Sequence, residues 1–242
     1  MADVAVLEPL PDGYAETRDA LHRLASYVLA PARKAVTGRI GLRPTPGGFG
    51  TPAFGDDQQL RVEGASLVRR RRSDTETIEI TSLASAAAFA GVTLSGDPGI
   101  GNDPPPLGDP DAPLGVEPAA AEALGAWYGF SDAVLYEFRE ELAASGRSCS
   151  EVQLWPEHFD LGCSIEGANF GCSPGDGYLA EPYVYVGPWD TEGLPEGDFW
   201  NAPFGAVLPY KELLGAADQR DTALAFLRRG AGLALQRAGE EP

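Results

Sequence analysis

The sequence predicts an α+β domain in which an antiparallel sheet is packed by two long helices and a C-terminal helix. Three observations carry this. Apolar residues recur at helical spacing near the N-terminus, in a long central stretch and near the end. Between the first two stretches, apolar and polar residues alternate with a period of two, the pattern of strands with one wet face. Short turn signals separate the alternating runs, as in a meander.

The first helix is expected from Tyr14 to about Lys34, because Leu21, Leu24, Ala25, Val28 and Ala32 fall on one stripe. Pro31 has no N–H for the helical ladder, which predicts a kink or an early end there. Ile40 and Leu42 then alternate with Arg39 and Arg43, Leu60 and Val62 with Arg61 and Glu63, and Ile78 and Ile80 with Thr77 and Glu79. The Gly and Pro cluster from Pro44 to Gly55 reads as a connection, and Gly64–Ser66 and Ser73–Thr75 read as turns. A short alanine-rich helix is expected over Leu83–Ala90. Residues 95–115, SGDPGIGNDPPPLGDPDAPLG, are too rich in Pro, Gly and Asp for any periodic element and form a loop between two halves of a single domain spanning 1–242. Its Asp97, Asp103, Asp109 and Asp111 lack the ligand ladder and closing Glu of a calcium loop.

The strongest helix is expected from Glu117 to Ala144, where Trp127, Phe130, Val134, Leu135, Phe138 and Leu142 share a stripe and read as core. Val152 and Leu154 resume alternation, Phe159 and Leu161 continue it, and Tyr183–Val186 forms a strand buried on both faces. A last helix is expected from Asp218 to about Leu235, with Leu224, Leu227 and Leu235 among its apolar positions.

Composition narrows the function. The formal charge is −18, and it is unevenly placed: through residue 94 there are 11 acids and 11 bases, and from 95 on 25 acids and 7 bases. Such a surface repels phosphates and anionic lipid, so neither nucleic acid nor membrane is an expected partner. The run Arg69–Arg72 is the local exception; between Leu67, Val68 and the turn at Ser73 it reads as a solvated strand end. No apolar run reaches the ~18 residues of a membrane span, and the N-terminus lacks the basic start and apolar stretch of a secretory signal. The expectation is a cytoplasmic protein whose three cysteines stay as thiols. The oligomeric state is not readable from these residues.

Six blocks follow one another in a recognisable order: DALHRLASYVLAPARKA, LRVEGASLVRRRRSDTETIEI, EPAAAEALGAWYGFSDAVLYEFREEL, WPEHFDLG, EPYVYVGP and AVLPYKELL. Their layout resembles a bacterial family known only as a domain of unknown function, over nearly the whole chain. The resemblance implies one α+β domain and no particular activity. His22 falls in that family's helix-borne histidine motif, and Phe159, Asp160 and Leu161 in its FDL motif; His158 has no equivalent.

The segment Glu151–Trp189 gathers one of two histidines, two of three cysteines and two of four tryptophans, so a polar site is expected there. Gly171-Cys172-Ser173-Pro174-Gly175 matches the G-x-S-x-G pattern, but Pro174 has no N–H for an oxyanion and no histidine follows His158. The stretch reads as a turn. His158-Phe159-Asp160 begins like an iron triad without its downstream histidine. Cys149, His158, Cys163 and Cys172 are four ligands soft enough for zinc, at spacings much wider than a C-x-x-C pair. Cys163 or Cys172 with His158 would be a nucleophile and base only if the fold joined them.

Two readings remain beside a purely structural one, in which the chain is an interaction partner and shows an exposed apolar patch. In the first the chain is a binding module with no cofactor, holding a small molecule or protein segment on Trp155, Tyr183, Tyr185 and Trp189, with aromatic bodies and polar tips. In the second it is an enzyme of unassigned class using His22 or His158 with Asp160, with or without a metal; an aspartate between Phe159 and Leu161 needs a partner if buried, and His22 is the partner expected.

Overall fold

The helix that begins at Tyr14 runs through Pro31 without stopping. In the computed structural model, which describes residues 6–101, 103–165, 167–192, 194 and 197–240 with side chains as far as 234, helix α1 (Tyr14–Leu24) passes into a π-turn (Ala25–Leu29) and then α2 (Ala30–Thr37). The Ala30 N–H donates to the Ala25 carbonyl, five residues back. Pro31 then falls in the first turn of α2, where a missing N–H breaks no helical bond. The widened turn replaces the kink expected at the proline.

The fold is α+β, and the chain forms two compact units. The N-terminal unit comprises Pro9–Gly129 and Leu154–Phe159. Its sheet is a meander in the order β1 (Arg43–Thr45), β2 (Gly48–Gly50), β3 (Gln58–Glu63), β4 (Ser66–Arg71) and β5 (Asp74–Glu79). Strands β1 and β2 lie inside the Gly and Pro cluster read as a connection. Glycine is what makes β2 fit: a Cβ on Gly48 would lie 2.4 Å from the Val62 carbonyl oxygen, and one on Gly50 2.5 Å from that of Leu60. Leu60 and Val62 are buried, as the alternation predicts.

Helix α3 (Leu83–Ala90) lies where expected, started by a capping box between Ser82 and Ser85. The arginine run is absorbed by its neighbours. Arg69 Nε donates to Glu76 at 2.8 Å, Arg69 Nη1 to the Phe89 carbonyl at 2.6 Å, Arg70 to Asp57 at 3.0 Å and Arg71 to Gln58 at 2.9 Å. The Arg69–Glu76 and Arg71–Gln58 contacts are exposed cross-strand pairs, and the Phe89 carbonyl ties Arg69 to α3. Residues 95–101 and 103–115 are irregular within this unit, where the Pro105 carbonyl accepts the Tyr27 hydroxyl at 2.7 Å.

Helix α4 (Pro118–Ala144) begins in the N-terminal unit and from Phe130 onward belongs to the second. That C-terminal unit comprises Met1–Glu8, Phe130–Gln153 and Asp160–Pro242. The late strands do not extend the first sheet; they make a second one. Its order is β10 (Ala206–Pro209), β9 (Tyr183–Pro188), β8 (Ala168–Ser173), β7 (Asp160–Ile165), β6 (Gln153–Trp155). β8 and β10 were not evident in the sequence, the first because it contains the G-x-S-x-G look-alike.

Register sorts the residues of this sheet into two faces. Leu161 pairs with Cys172 and Cys172 with Val184, while Cys163 pairs with Phe170 and Phe170 with Val186. This face is the core: Phe138 of α4 lies 5.3 Å from Phe170, and all these residues are buried. Helix α5 (Tyr210–Leu214) and helix α6 (Gln219–Glu240) follow. Gly230 of α6 is needed where the helix meets β9, since a Cβ there would come 2.5 Å from Val186 Cγ2. Among the described residues, no helix is long and apolar enough to cross a membrane.

Candidate functional site

The second face of the C-terminal sheet carries the polar chemistry. Tyr183 pairs with Ser173, Tyr185 with Gly171, and Gly171 with Gly162, so alternation puts Asp160, Gly162, Asn169, Gly171, Ser173, Tyr183, Tyr185 and Trp189 on one side. Two opposed glycines clear a path across β8 and β7. A Cβ on Gly171 would meet Tyr185 Cζ and its hydroxyl at 2.6 Å, and one on Gly162 would meet that hydroxyl at 3.2 Å. The Tyr185 ring fills this path, and its hydroxyl donates to Asp160 Oδ2.

Asp160 is 8% exposed, which is rare for a carboxylate unless it is held. The partner expected for it was His22; the hydroxyl that reaches it is that of Tyr185. Tyr185 is half-exposed as a residue, yet its hydroxyl end is buried. Burial, and then the Asp160 charge and the hydrogen bond to it, push the phenol well above its ordinary pKa. A matching pair stands one step along the strand. Tyr183 donates to Asp176 Oδ2 at 2.5 Å, and its phenol is also raised, by burial first and by Asp176 second. Asp176 Oδ1 accepts the backbone N–H groups of Tyr178 at 2.8 Å and Leu179 at 3.1 Å, which fixes the loop that presents the Tyr178 ring.

Exposed aromatics flank these pairs. Tyr178 is 44% exposed and makes an edge contact with Phe204 at 5.1 Å; Trp189 is 68% exposed and donates Nε1–H to Asn169 Oδ1 at 3.0 Å. The residues around them are acidic, with Asp176, Glu181, Asp190 and Glu192 all exposed. No lysine or arginine occurs between Arg147 and Lys211.

The remaining candidates belong to the N-terminal unit, where His22 and Ser26 form a clamp. His22 Nε2 lies 3.0 Å from the Pro156 carbonyl oxygen, and Ser26 Oγ donates to the same oxygen at 2.8 Å. Because a carbonyl only accepts, the imidazole proton is on Nε2. The ring stacks on Phe159 with centroids 5.0 Å apart and an interplanar angle of 4°. Burial lowers the His22 pKa to about 4, against the carbonyl hydrogen bonds that favour its charged form. The clamp holds a strained turn: Phe159 has φ 60, a conformation that costs about 1–3 kcal/mol for a bulky residue. Phe159 N–H donates to the Trp155 carbonyl and the Tyr128 hydroxyl to the Phe159 carbonyl, both at 2.7 Å. His22 is thus a neutral structural donor. Trp155 is half-exposed at the start of this turn, and His158 is exposed at its tip.

Ser173 is 3% exposed and its Oγ accepts the Gly175 N–H at 3.2 Å, the geometry of a turn and not of an exposed nucleophile. Cys172 is buried beside the Ser131 hydroxyl, and burial pushes its thiol up to about 12. Among the described residues, no three His, Cys, Asp or Glu side chains converge to hold a metal ion, so Cys149, His158, Cys163 and Cys172 do not form a joint centre.

The structure therefore gathers Asp160, Tyr183, Tyr185 and Trp189 on one face and leaves His22, Trp155 and His158 in the other unit. Gly162, Gly171, Asp176 and Tyr178 were missed. Two signals pointed to them: glycines at matching places in LGCS and FGCS, and the long stretch without a base. Comparison with protein-family models, curated proteins and solved structures finds no match to this chain.

Proposed function

We propose that the chain is a cytoplasmic binding module that holds a cationic small molecule, or a lysine- or arginine-bearing segment of a protein, on the face made by Tyr178, Tyr185 and Trp189. The observation that carries this reading is an aromatic surface set in a stretch with no lysine or arginine, rimmed by Asp176, Glu181, Asp190 and Glu192. Aromatic faces attract cations through the ring quadrupole, by about 0.5–1 kcal/mol at exposed sites, and nearby carboxylates add a salt-dependent attraction. Tyr183 and Tyr185 are already fixed by Asp176 and Asp160, so little side-chain freedom would be lost on binding. The three free thiols favour a reducing compartment. The acidic rim disfavours nucleic acid and anionic membranes.

An enzyme built on His22 or His158 with Asp160 draws less support, because the Nε2 proton of His22 is committed to Pro156 and a histidine with a pKa of about 4 is a poor base near neutral pH. The test is fluorescence titration of the protein with arginine methyl ester, spermidine and an arginine-containing tripeptide, alongside citrate and glucose. Quenching by the cations alone, weakened by salt and by Trp189→Ala, supports the reading; equal responses to cations and anions, or none to cations, would overturn it.

A further inference from the structure

We propose that the outer face of the N-terminal sheet carries a binding site of its own, a trough over β2 that takes a small monocarboxylate between Arg43 and Arg61. Register builds the trough. Gly50 pairs with Arg43 on one side and Arg61 on the other, and Gly48 pairs with Thr45 and Glu63 in the same way. Phe49, between the two glycines, points to the opposite face and packs on Tyr128 and Phe159. The middle strand therefore raises no side chain here, while its two neighbours form walls. The space between them measures about 370 Å³, with Pro44, Pro46 and Gln59 completing the lining, a size that suits a small ligand.

The walls are held in place by the fold. The β1–β2 turn has Pro46 followed by Gly47 at φ 75, the residues of a type II turn, and the Gly47 carbonyl accepts the Gly64 N–H at 3.0 Å. Glu63 leans over this turn, since a Cβ on Gly47 would lie 3.2 Å from Glu63 Cγ; a Cβ on Gly50 would lie 2.6 Å from that of Arg61. Arg61 Nη2 donates to Glu63 at 3.0 Å, which fixes the guanidinium and leaves its other N–H groups for a ligand. Arg43 Nε donates to the Pro44 carbonyl at 3.4 Å, and among the described residues Arg43 meets no carboxylate. The Thr45 hydroxyl is buried without a partner in the fold, a cost that a ligand oxygen reached by a χ1 turn would remove. Charge selects the ligand. Two guanidiniums and one carboxylate leave a single positive charge, the match for a monoanion, whereas a phosphate monoester would bring nearly two negative charges past Glu63. Strands lie about 4.8 Å apart, which puts the Cα atoms of Arg43 and Arg61 roughly 10 Å from each other, so both side chains can reach one carboxylate. Pro44 and Pro46 offer its carbon body an apolar wall. The first 94 residues, which build this sheet, carry as many bases as acids.

The test titrates the isotope-labelled full chain with benzoate, hexanoate and methyl phosphate at low salt, following backbone amides and arginine Nε–H resonances by NMR. None of these probes carries a cation for the aromatic face, so failure here and failure of the cation reading are separate results. Benzoate and hexanoate should bind saturably and more tightly than methyl phosphate, shifting the Gly48 and Gly50 amides and the Nε–H signals of Arg43 and Arg61. Arg43→Gln and Arg61→Gln should each weaken benzoate roughly tenfold, the loss of a hydrogen bond to a charged group, while Arg71→Gln on β4 leaves it unchanged. Tighter binding of methyl phosphate, shifts centred away from β2, an equal loss with Arg71→Gln, or no saturation by either carboxylate would each overturn the proposal. The shifts in the unaltered chain decide the matter even where a variant fails to fold.

Discussion

The phenol of Tyr185 occupies the space that a side chain on Gly171 would need. A Cβ there would come within 2.6 Å of the ring and 2.7 Å of the Leu161 carbonyl oxygen, and the second of these is backbone that cannot turn away. Gly171→Ala should therefore destabilise the protein by about 1–3 kcal/mol, as overpacking does, measured by urea unfolding. A change of only a few tenths would mean that the ring does not lie where the structure puts it.

Removing the hydroxyl tests the other end of the same contact. Tyr185→Phe takes a donor from a buried carboxylate and should cost about 1.5–3 kcal/mol, the range for hydrogen bonds to charged groups. Asp160→Asn, which keeps the shape and an acceptor oxygen, should cost less than Asp160→Ala. If Tyr185→Phe and an exposed control such as Tyr136→Phe, 60% exposed, unfold at the same urea concentration, the pair contributes nothing.

Alkaline pH should act through both tyrosines. Tyr183 and Tyr185 have folded pKa values above their unfolded ones, so below about 10, the ordinary tyrosine pKa, both states keep the proton and stability is undiminished. Above it the unfolded chain releases protons that the folded chain retains, and stability falls. Phenolate absorbance should show Tyr183 and Tyr185 ionising only as the fold is lost, with Tyr27 and Tyr210, whose phenols burial also raises, late as well. Titration of all of them in one step with circular dichroism unchanged would contradict this.

Acid should act through His22. Its folded pKa of about 4 lies below the ordinary value of 6.5, so its contribution is complete above 6.5 and is lost as pH falls through about 4, because the unfolded imidazole binds a proton that the folded one refuses. His22→Gln keeps an amide donor for the Pro156 carbonyl and should flatten the acid limb of stability while lowering stability at neutral pH. An NMR titration in which the His22 ring protonates near 6.5 in the folded protein would refute the clamp.

Much of the fold is legible because helices announce themselves by stripe and composition. Leu21, Leu24 and Val28 mark the first helix, the alanines of Leu83–Ala90 mark α3, and the aromatics from Trp127 to Phe138 the long one. Alternation also identifies the faces of β3, whereas β9, expected to be buried on both faces, leaves Tyr185 half-exposed. What alternation does not encode is which strands share a sheet, so the late strands were assigned to the first. β2 and β8 were read as turns because Gly48, Gly50, Gly171 and Ser173 have turn composition; their glycines serve close backbone approach instead. The candidate site was half visible. Tyr183, Tyr185 and Trp189 alternate along one strand, but the partner of Asp160 is set by cross-strand register, and the partner of His22 is a carbonyl oxygen, which every residue has.

The tryptophan indole signals test the central claim most directly. Trp189 Nε1–H points along the proposed face with Asn169 as its acceptor, while Trp127 is fully buried. In an NMR titration of the folded protein with the arginine-containing tripeptide, the Trp189 indole resonance should shift in a saturable way that added salt weakens, with Trp127 still and with the amides of Gly162 and Gly171 moving beside it. A saturating response that leaves Trp189 unmoved, or one centred on the Trp155–Phe159 turn, would contradict the account.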